Sequence, residues 1–106
     1  MNTQLKKGIL EMCVLFLIQE QDMYGFEVIE TISKDIDVNE NTIYPILRRL
    51  TKQGMFNTYE KQSPFGAPRK YYKITKSGEK YLHVSLAEWR QFLKGVSNIL
   101  GGYENE

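Results

Sequence analysis

The side chains best suited to binding a polyanion lie in one segment, NENTIYPILRRLTKQG, at residues 39–54. Its apolar residues recur at the spacing of one buried helical face; they are Ile43, Ile46, Leu47 and Leu50. The opposite stripe is polar and contains Asn41, Tyr44, Pro45, Arg48 and Lys52, with Thr42 and Arg49 at its border. Hydroxyl and amide groups can donate to phosphate oxygens, and arginine can pair with phosphate or read guanine. The segment therefore predicts a helix that presents a nucleic-acid-binding stripe.

Pro45 interrupts this helical pattern, because proline lacks a backbone donor and crowds the preceding turn. If Asn39 or Asn41 caps the helix, Pro45 lies about one to one and a half turns from its start, where the cost is smaller. We expect a loosened first turn that helps to direct Asn41, Thr42 and Tyr44 outward. The pattern leaves the choice between the two asparagine caps open.

A basic hairpin is predicted after this helix. The segments at 55–62 and 69–75 are rich in aromatic and β-branched residues, and SPFGAP between them carries two prolines and a glycine. Strand, turn and strand form a hairpin, which must lean on the helices because two strands alone are marginally stable. Its cations are expected to bracket a duplex backbone and to bind it with a steep salt dependence; they are Lys61, Arg69, Lys70 and Lys73.

The charge distribution supports a polyanionic partner. Residues 42–76 hold eight basic side chains and one acidic one, a net charge of about +7, whereas the rest of the chain carries about −6. Such polarisation favours a nucleic-acid surface on the basic third of the chain. The alternative is a basic face that is merely solvated.

The elements before this segment complete a recognisable order. Residues 3–20 and 24–36 keep helical spacing, and the first of these helices is apolar on two sides, as if it contacted two partners. Three helices followed by a basic hairpin make a winged helix-turn-helix. The predicted fold is therefore α+β, mostly α, with a two-stranded wing.

A long C-terminal helix is predicted from a Thr75 cap to about Leu100, before Gly101 and Gly102. Its apolar residues step by four and three, as in a coiled coil; they are Leu82, Leu86, Trp89, Leu93, Val96 and Leu100. At ~37 Å this helix outruns a winged-helix core, so we expect it to form a homodimer; folding back on the first helix is the alternative. The winged helix then spans 1–75, and the dimerisation helix with a short tail spans 76–106.

Enzymatic chemistry finds no support in this sequence. The single histidine, His83, and the single cysteine, Cys13, offer no zinc-like spacing, and no phosphate-binding loop or nucleophile motif is present. We expect neither a metal nor a cofactor. The absence of an export signal and of a membrane-length apolar run predicts a cytoplasmic protein that makes no membrane contact.

Two stretches of the sequence resemble the PadR family of bacterial transcriptional regulators. ENTIYPILRRLTKQG is similar to the family's helix E-G-T-L-Y-P-L-L-x-R-L-x-x-x-G, and GAPRKYYKITKSG to its wing G-x-x-R-K-Y-Y-x-L-T-x-x-G. Asn41 stands where the family usually has glycine. The resemblance covers nearly the whole chain. It implies a dimeric repressor with Thr42, Tyr44 and Arg48 near DNA, Arg69 and Lys70 in the wing, and Tyr24 near phosphate.

The single C-terminal helix is similar to that of the family's short-tailed branch, some members of which bind flat aromatic drugs between paired C-terminal helices. Trp89 stands at the matching place, and a small aromatic effector there would relieve repression. The residues that could line such a site are Met12, Phe16, Leu86, Trp89 and Leu93. The alternative is that Trp89 only fills the dimer core.

The sequence thus predicts a homodimeric repressor that binds a pseudo-palindromic DNA operator, with half-sites ~10 bp or a multiple apart. The rival interpretation is a winged-helix interaction module that binds an acidic protein partner without DNA.

Overall fold

A computed structural model describes residues 3–102 and contains a winged helix with a long C-terminal helix, which confirms the predicted fold class. The elements in chain order are α1 (Thr3–Glu20), β1 (Met23–Tyr24), α2 (Gly25–Ser33), α3 (Glu40–Lys52), β2 (Phe56–Ser63), β3 (Gly66–Ile74) and α4 (Lys76–Leu100). The strands form an antiparallel sheet in the order β1-β3-β2. Residues 103–106 of the predicted tail lie outside the described range.

Two boundaries differ from the predicted ones. The second helix was expected over 24–36, but α2 ends at Ser33, and Ile36 closes a following turn through its N–H to the Ile32 carbonyl at 2.9 Å. Met23 and Tyr24 instead extend the hairpin to three strands by pairing with Tyr72 and Tyr71. The wing turn is also shorter than the predicted segment at 63–68, because Ser63 pairs with Gly66.

The hydrophobic core lies where α1, α2 and α3 meet the sheet. All four apolar residues of the predicted α3 face are buried, as are Leu10, Val14, Leu15 and Ile18 of α1. The opposite side of α1 remains accessible, and Phe16 is 44% exposed there. The two apolar sides of α1 therefore have different environments.

The first turns of α4 belong to the same core. Thr75 caps the helix as predicted: its Oγ1 accepts from the Gly78 N–H at 3.0 Å and donates to the Gly54 carbonyl at 2.7 Å. Leu82 is fully buried within its own chain. Its side chain is therefore unavailable to a partner, which corrects its predicted place in the dimer seam.

The second half of α4 leaves the core. Leu86 and Trp89 are half-buried, whereas Phe92 is 66% and Ile99 is 85% exposed. The molecule measures 53 × 27 × 22 Å, so it is elongated. A run of apolar side chains on α4 therefore faces solvent.

Candidate nucleic-acid interface

Asn39 caps α3. Its Oδ1 accepts from the Asn41 N–H at 2.9 Å, which decides between the two asparagines. Glu40 is the first helical residue, so Pro45 lies in the second turn and leaves the Asn41 carbonyl without an α-helical donor. Asn41 and Pro45 are exposed and Thr42 is half-buried. The polar end of the predicted stripe is therefore accessible.

Tyr44 packs on the start of α2, at a place that only glycine fits. A Cβ on Gly25 would lie 2.4 Å from Cε1 of the Tyr44 ring. Gly25 is itself buried, whereas Arg48, one turn along α3, is exposed. Gly25 thus sets the position of a predicted DNA-facing side chain. Sequence reasoning missed this role, although Gly25 directly follows Tyr24, a residue that the family resemblance had already singled out.

Tyr72 joins the α3 stripe to the wing. Burial raises the pKa of Tyr72, nearby Tyr44 raises it further, and the positive charge of Arg48 opposes them. The Lys70 ammonium lies 5.9 Å from the centre of the Tyr72 ring. The charge of Arg48 on the stripe and the ammonium of Lys70 on the wing therefore both act on one buried tyrosine, which the sequence had not distinguished from its neighbours.

Three tyrosines form a row across the other face of the sheet. Tyr71 pairs in register with Tyr24 and Tyr59, and the ring centres lie 5.5 and 5.6 Å from its own. The Arg69 guanidinium lies 4.5 Å above the Tyr24 ring, and the Lys61 ammonium 5.4 Å from the Tyr71 ring. Cations at these distances are attracted to aromatic faces, so the row orders both basic side chains.

The row ends in a hydrogen bond. The Tyr59 hydroxyl donates to Asp22 Oδ2 at 2.6 Å, and this bond is the main reason that the pKa of Tyr59 is raised to about 12. Lys73 shares this face by strand alternation, while Lys70 is on the opposite face. The four predicted wing cations are therefore divided between the two faces of the sheet.

Arg49 has a different environment from the stripe that it borders. Its guanidinium pairs with Glu11 of α1, whose other oxygen accepts from the Tyr81 hydroxyl at 2.6 Å. That hydrogen bond, with burial as a second cause, raises the pKa of Tyr81. Glu11 thus connects α1 with both α3 and α4, and Arg48 rather than Arg49 is presented on the stripe.

The predicted effector residues divide between two apolar grooves beside α1. Phe16 and Leu86 border a groove of about 360 Å³, and Trp89 borders one of about 390 Å³. Met12 lines both grooves, and Leu93 lines neither. Within one chain these five residues do not form a single site.

The part of the chain that the structure describes, residues 3–102, contains neither a membrane-spanning helix nor a cluster of metal ligands. No helix in this range is both long and apolar enough to cross a membrane. No three side chains among its histidine, cysteine, aspartate and glutamate residues converge as a metal site.

Comparison with known proteins agrees with this geometry. The profile of the Transcriptional regulator PadR-like family matches residues 14–84. The chain is similar to a PadR-like transcriptional regulator from Bacillus cereus strain ATCC 14579, with 35% identity over 94% of this chain and 99% of that one, and a TM-score of 0.85. A Streptococcus transcriptional regulator has 36% identity, coverage of 92% and 98%, and a TM-score of 0.83. An uncharacterised Lysinibacillus sphaericus protein is 32% identical over 102 residues, which are 92% of this chain and 94% of its own.

Proposed function

The chain belongs to the PadR-like family of transcriptional regulators, and from this premise we propose that it is a homodimeric repressor that binds a DNA operator. The observation that carries the proposal is the pairing of an accessible polar stripe on α3, with Asn41, Pro45 and Arg48 exposed, with a wing whose cations lie against tyrosine rings. A repressor acts where the chromosome is, so the cytoplasm is the expected compartment.

In this proposal the start of α3 enters the major groove. Asn41, Thr42 and Tyr44 contact phosphate or base edges, while Arg48 reads guanine or pairs with phosphate. Pro45 leaves the Asn41 carbonyl without a helical hydrogen bond, so the first turn of α3 stays accessible to the duplex. The backbone contacts come from the remaining candidates, Tyr24, Lys61, Arg69, Lys70 and Lys73.

The first experiment selects duplexes from a random pool and measures affinity for them across a range of salt concentrations. We expect a preferred sequence and a steep fall in affinity as salt rises. Arg48→Ala should weaken binding to the selected site by ~1–3 kcal/mol. Arg90→Ala is the matched control, because it removes the same charge from an exposed position on α4.

The rival class of protein gives a different result. A module that binds an acidic protein would show no preferred duplex, and Arg48→Ala would behave like Arg90→Ala. That pair of results would reject the repressor.

The proposed dimer forms through the accessible half of α4. Its seam consists of Leu86, Trp89, Leu93, Val96 and Leu100, and the apolar face of α1 around Phe16 adjoins it. Leaving Ile99 at 85% and Phe92 at 66% exposure in a lone chain is unfavourable, because burying such side chains contributes ~1.5–3 kcal/mol each.

Leu93→Asp combined with Leu100→Asp should convert the dimer to a monomer in light scattering, since both side chains are more than two-fifths exposed and outside the core. Gln91→Asp, an exposed position on the same helix, is the control for added charge. A dimer that survives the double substitution would reject the seam.

We further propose that a flat aromatic effector relieves repression by binding beside Trp89. The two grooves at α1 lie within the ~300–1,000 Å³ typical of ligand sites. Pairing two copies would bring Met12, Phe16, Leu86, Trp89 and Leu93 together. Quenching of Trp89 fluorescence by planar aromatic compounds, with release of the selected duplex, is the expected result; quenching by none of a broad panel would leave Trp89 as dimer core.

A further inference from the structure

The tip of the wing carries an apolar side chain that has no role in the fold. Phe65 is 88% exposed, more than any other large apolar side chain within residues 3–102. It lies between the ends of β2 and β3, in the two-residue turn Pro64–Phe65. A phenylalanine so placed forgoes nearly all of the favourable free energy that burying its ring would contribute.

The turn holds this side chain outward in a defined conformation. The Phe65 N–H donates to Ser63 Oγ at 3.2 Å, and Gln62 Nε2 donates to the Gly66 carbonyl at 3.3 Å. Pro64 restricts the backbone before Phe65. Gly66 follows with a φ of +133°, a backbone conformation that residues with a Cβ atom rarely adopt. The turn therefore holds the aromatic ring of Phe65 in solvent.

Cations occupy the strands behind the tip. Lys61 and Arg69 pair across the two strands just behind the turn, and Lys70 follows on the opposite face. Glu60 is the only acidic residue in β2 and β3. An apolar point with a positively charged base fits a partner that offers phosphates outside and stacked aromatic surfaces inside, which is the chemistry of duplex DNA.

The length of the wing matches the spacing of the DNA grooves. Thr58 pairs with buried Tyr72, and the tip begins six residues farther along β2. At ~3.4 Å per residue the tip stands about 20 Å from the core. Half a turn of B-form DNA is ~17 Å, so a wing of this length is long enough to span from the major groove that α3 is proposed to enter to the minor groove beside it.

We propose that Phe65 is a wedge that inserts between base pairs in this minor groove and bends the operator. Apolar side chains that enter between base steps unstack them and kink the duplex. The wedge would favour flexible pyrimidine–purine steps, and would add sequence preference at positions that α3 does not contact. The inference rests on the proposed function and deepens it.

The test uses the full-length protein and a duplex selected from a random pool, with a fluorophore pair at its ends and 2-aminopurine at its pyrimidine–purine steps. Wild type should shorten the end-to-end distance and raise the 2-aminopurine fluorescence. Phe65→Ser should bind roughly tenfold more weakly and remove both optical signals. It should retain the salt slope, because its phosphate contacts are unchanged. Phe65→Leu keeps an apolar wedge and should retain the bend.

The alternatives give separate results. If Phe65→Ser bends and binds the duplex as wild type does, the wedge is wrong while the repressor stands. Weaker binding with an unchanged bend would make Phe65 a surface contact and would likewise overturn the wedge. If wild type selects no duplex at all, the proposed function fails and the wedge fails with it.

Discussion

Replacing Gly25 with alanine should impair DNA binding through Tyr44. All three of the nearest heavy atoms that the new Cβ would meet belong to the Tyr44 side chain, at 2.4, 3.2 and 3.2 Å. Ordinary contact begins at 3.4 Å, so the ring must retreat by about 1 Å or rotate away. Either movement displaces a side chain of the α3 stripe.

The size of the effect depends on how far the ring can yield. If it stays in place, overpacking costs about 1–3 kcal/mol of unfolding free energy, or roughly 4–8 °C in melting temperature for each kcal/mol. If it rotates outward, the stability cost is smaller, and the lost contact weakens DNA binding by about 1 kcal/mol, or fivefold. We therefore expect a large loss of unfolding free energy to accompany a small loss of DNA affinity, and the reverse.

A double-mutant cycle isolates this contact. Urea unfolding and duplex affinity are measured for wild type, Gly25→Ala, Tyr44→Ala and the double variant. In the Tyr44→Ala background the three nearest atoms are gone, so Gly25→Ala should cost much less, with a coupling of about 1–3 kcal/mol. Gly8→Ala, where a Cβ has no heavy atom within 4 Å, is the control and should not destabilise α1.

Equal losses in both backgrounds would refute the reasoning. They would mean that Gly25 accommodates the backbone of α2 rather than the Tyr44 ring. Unchanged DNA affinity in a Gly25→Ala protein that is as stable as wild type would mean that the ring has moved without consequence, and would separate Tyr44 from the DNA-binding stripe.

Gly78→Ala should lower the unfolding free energy by about 3 kcal/mol in urea titrations, because its Cβ would lie 2.3 Å from the Met55 carbonyl oxygen, which belongs to the backbone and cannot rotate away. Gly95→Ala, in open space on the same helix, should instead add ~0.5–1 kcal/mol; a loss at both positions would indicate a general intolerance of α4. Tyr59 should titrate near pH 12, as followed by the phenolate absorbance that disappears in Tyr59→Phe, and Asp22→Asn should move the midpoint toward 10. Since the folded-state pKa of Tyr59 is raised, the hydrogen bond to Asp22 stabilises the fold below pH 10 and is lost as the pH rises through 12; a midpoint near 10 in the wild type would contradict the bond.

The sequence was sufficient to predict elements that have a local signal, such as regular apolar spacing or a capping residue. The apolar spacing of α3 predicted its four buried residues, and Thr75 marked the start of α4. The α3 cap needed structure, because Asn39 and Asn41 are chemically identical candidates and only the direction of one hydrogen bond separates them.

Pairings between distant residues could not be predicted in this way. β1 has two residues, too few for an alternating pattern, and it exists because Tyr71 and Tyr72 offer it a partner almost fifty residues later. Pro68 suggested a turn, yet it lies within β3. Proline is tolerated there because β1 pairs only with residues 71 and 72, which leaves that part of β3 at an edge.

The residues of the α3 stripe could be predicted from the sequence, but the residues from other elements that position them could not. Periodicity put Arg48 and Arg49 outside the buried face alike, and only the contact with Glu11 distinguishes them. Gly25 and Tyr72 act through neighbours from other elements, so neither has a local signature. Leu82 satisfied the heptad pattern equally well, although its partner is the core of its own chain.

The burial of Leu82 also has a consequence for the order in which the protein is made. A ribosome delivers the three N-terminal helices and the wing first, but their core lacks one wall until Leu82 of α4 is added. Domains tend to fold as units during synthesis, and this one becomes complete only as α4 emerges. The helix that completes the core is also the one proposed to pair two copies, so the DNA-binding surface becomes stable only when the pairing helix is in place.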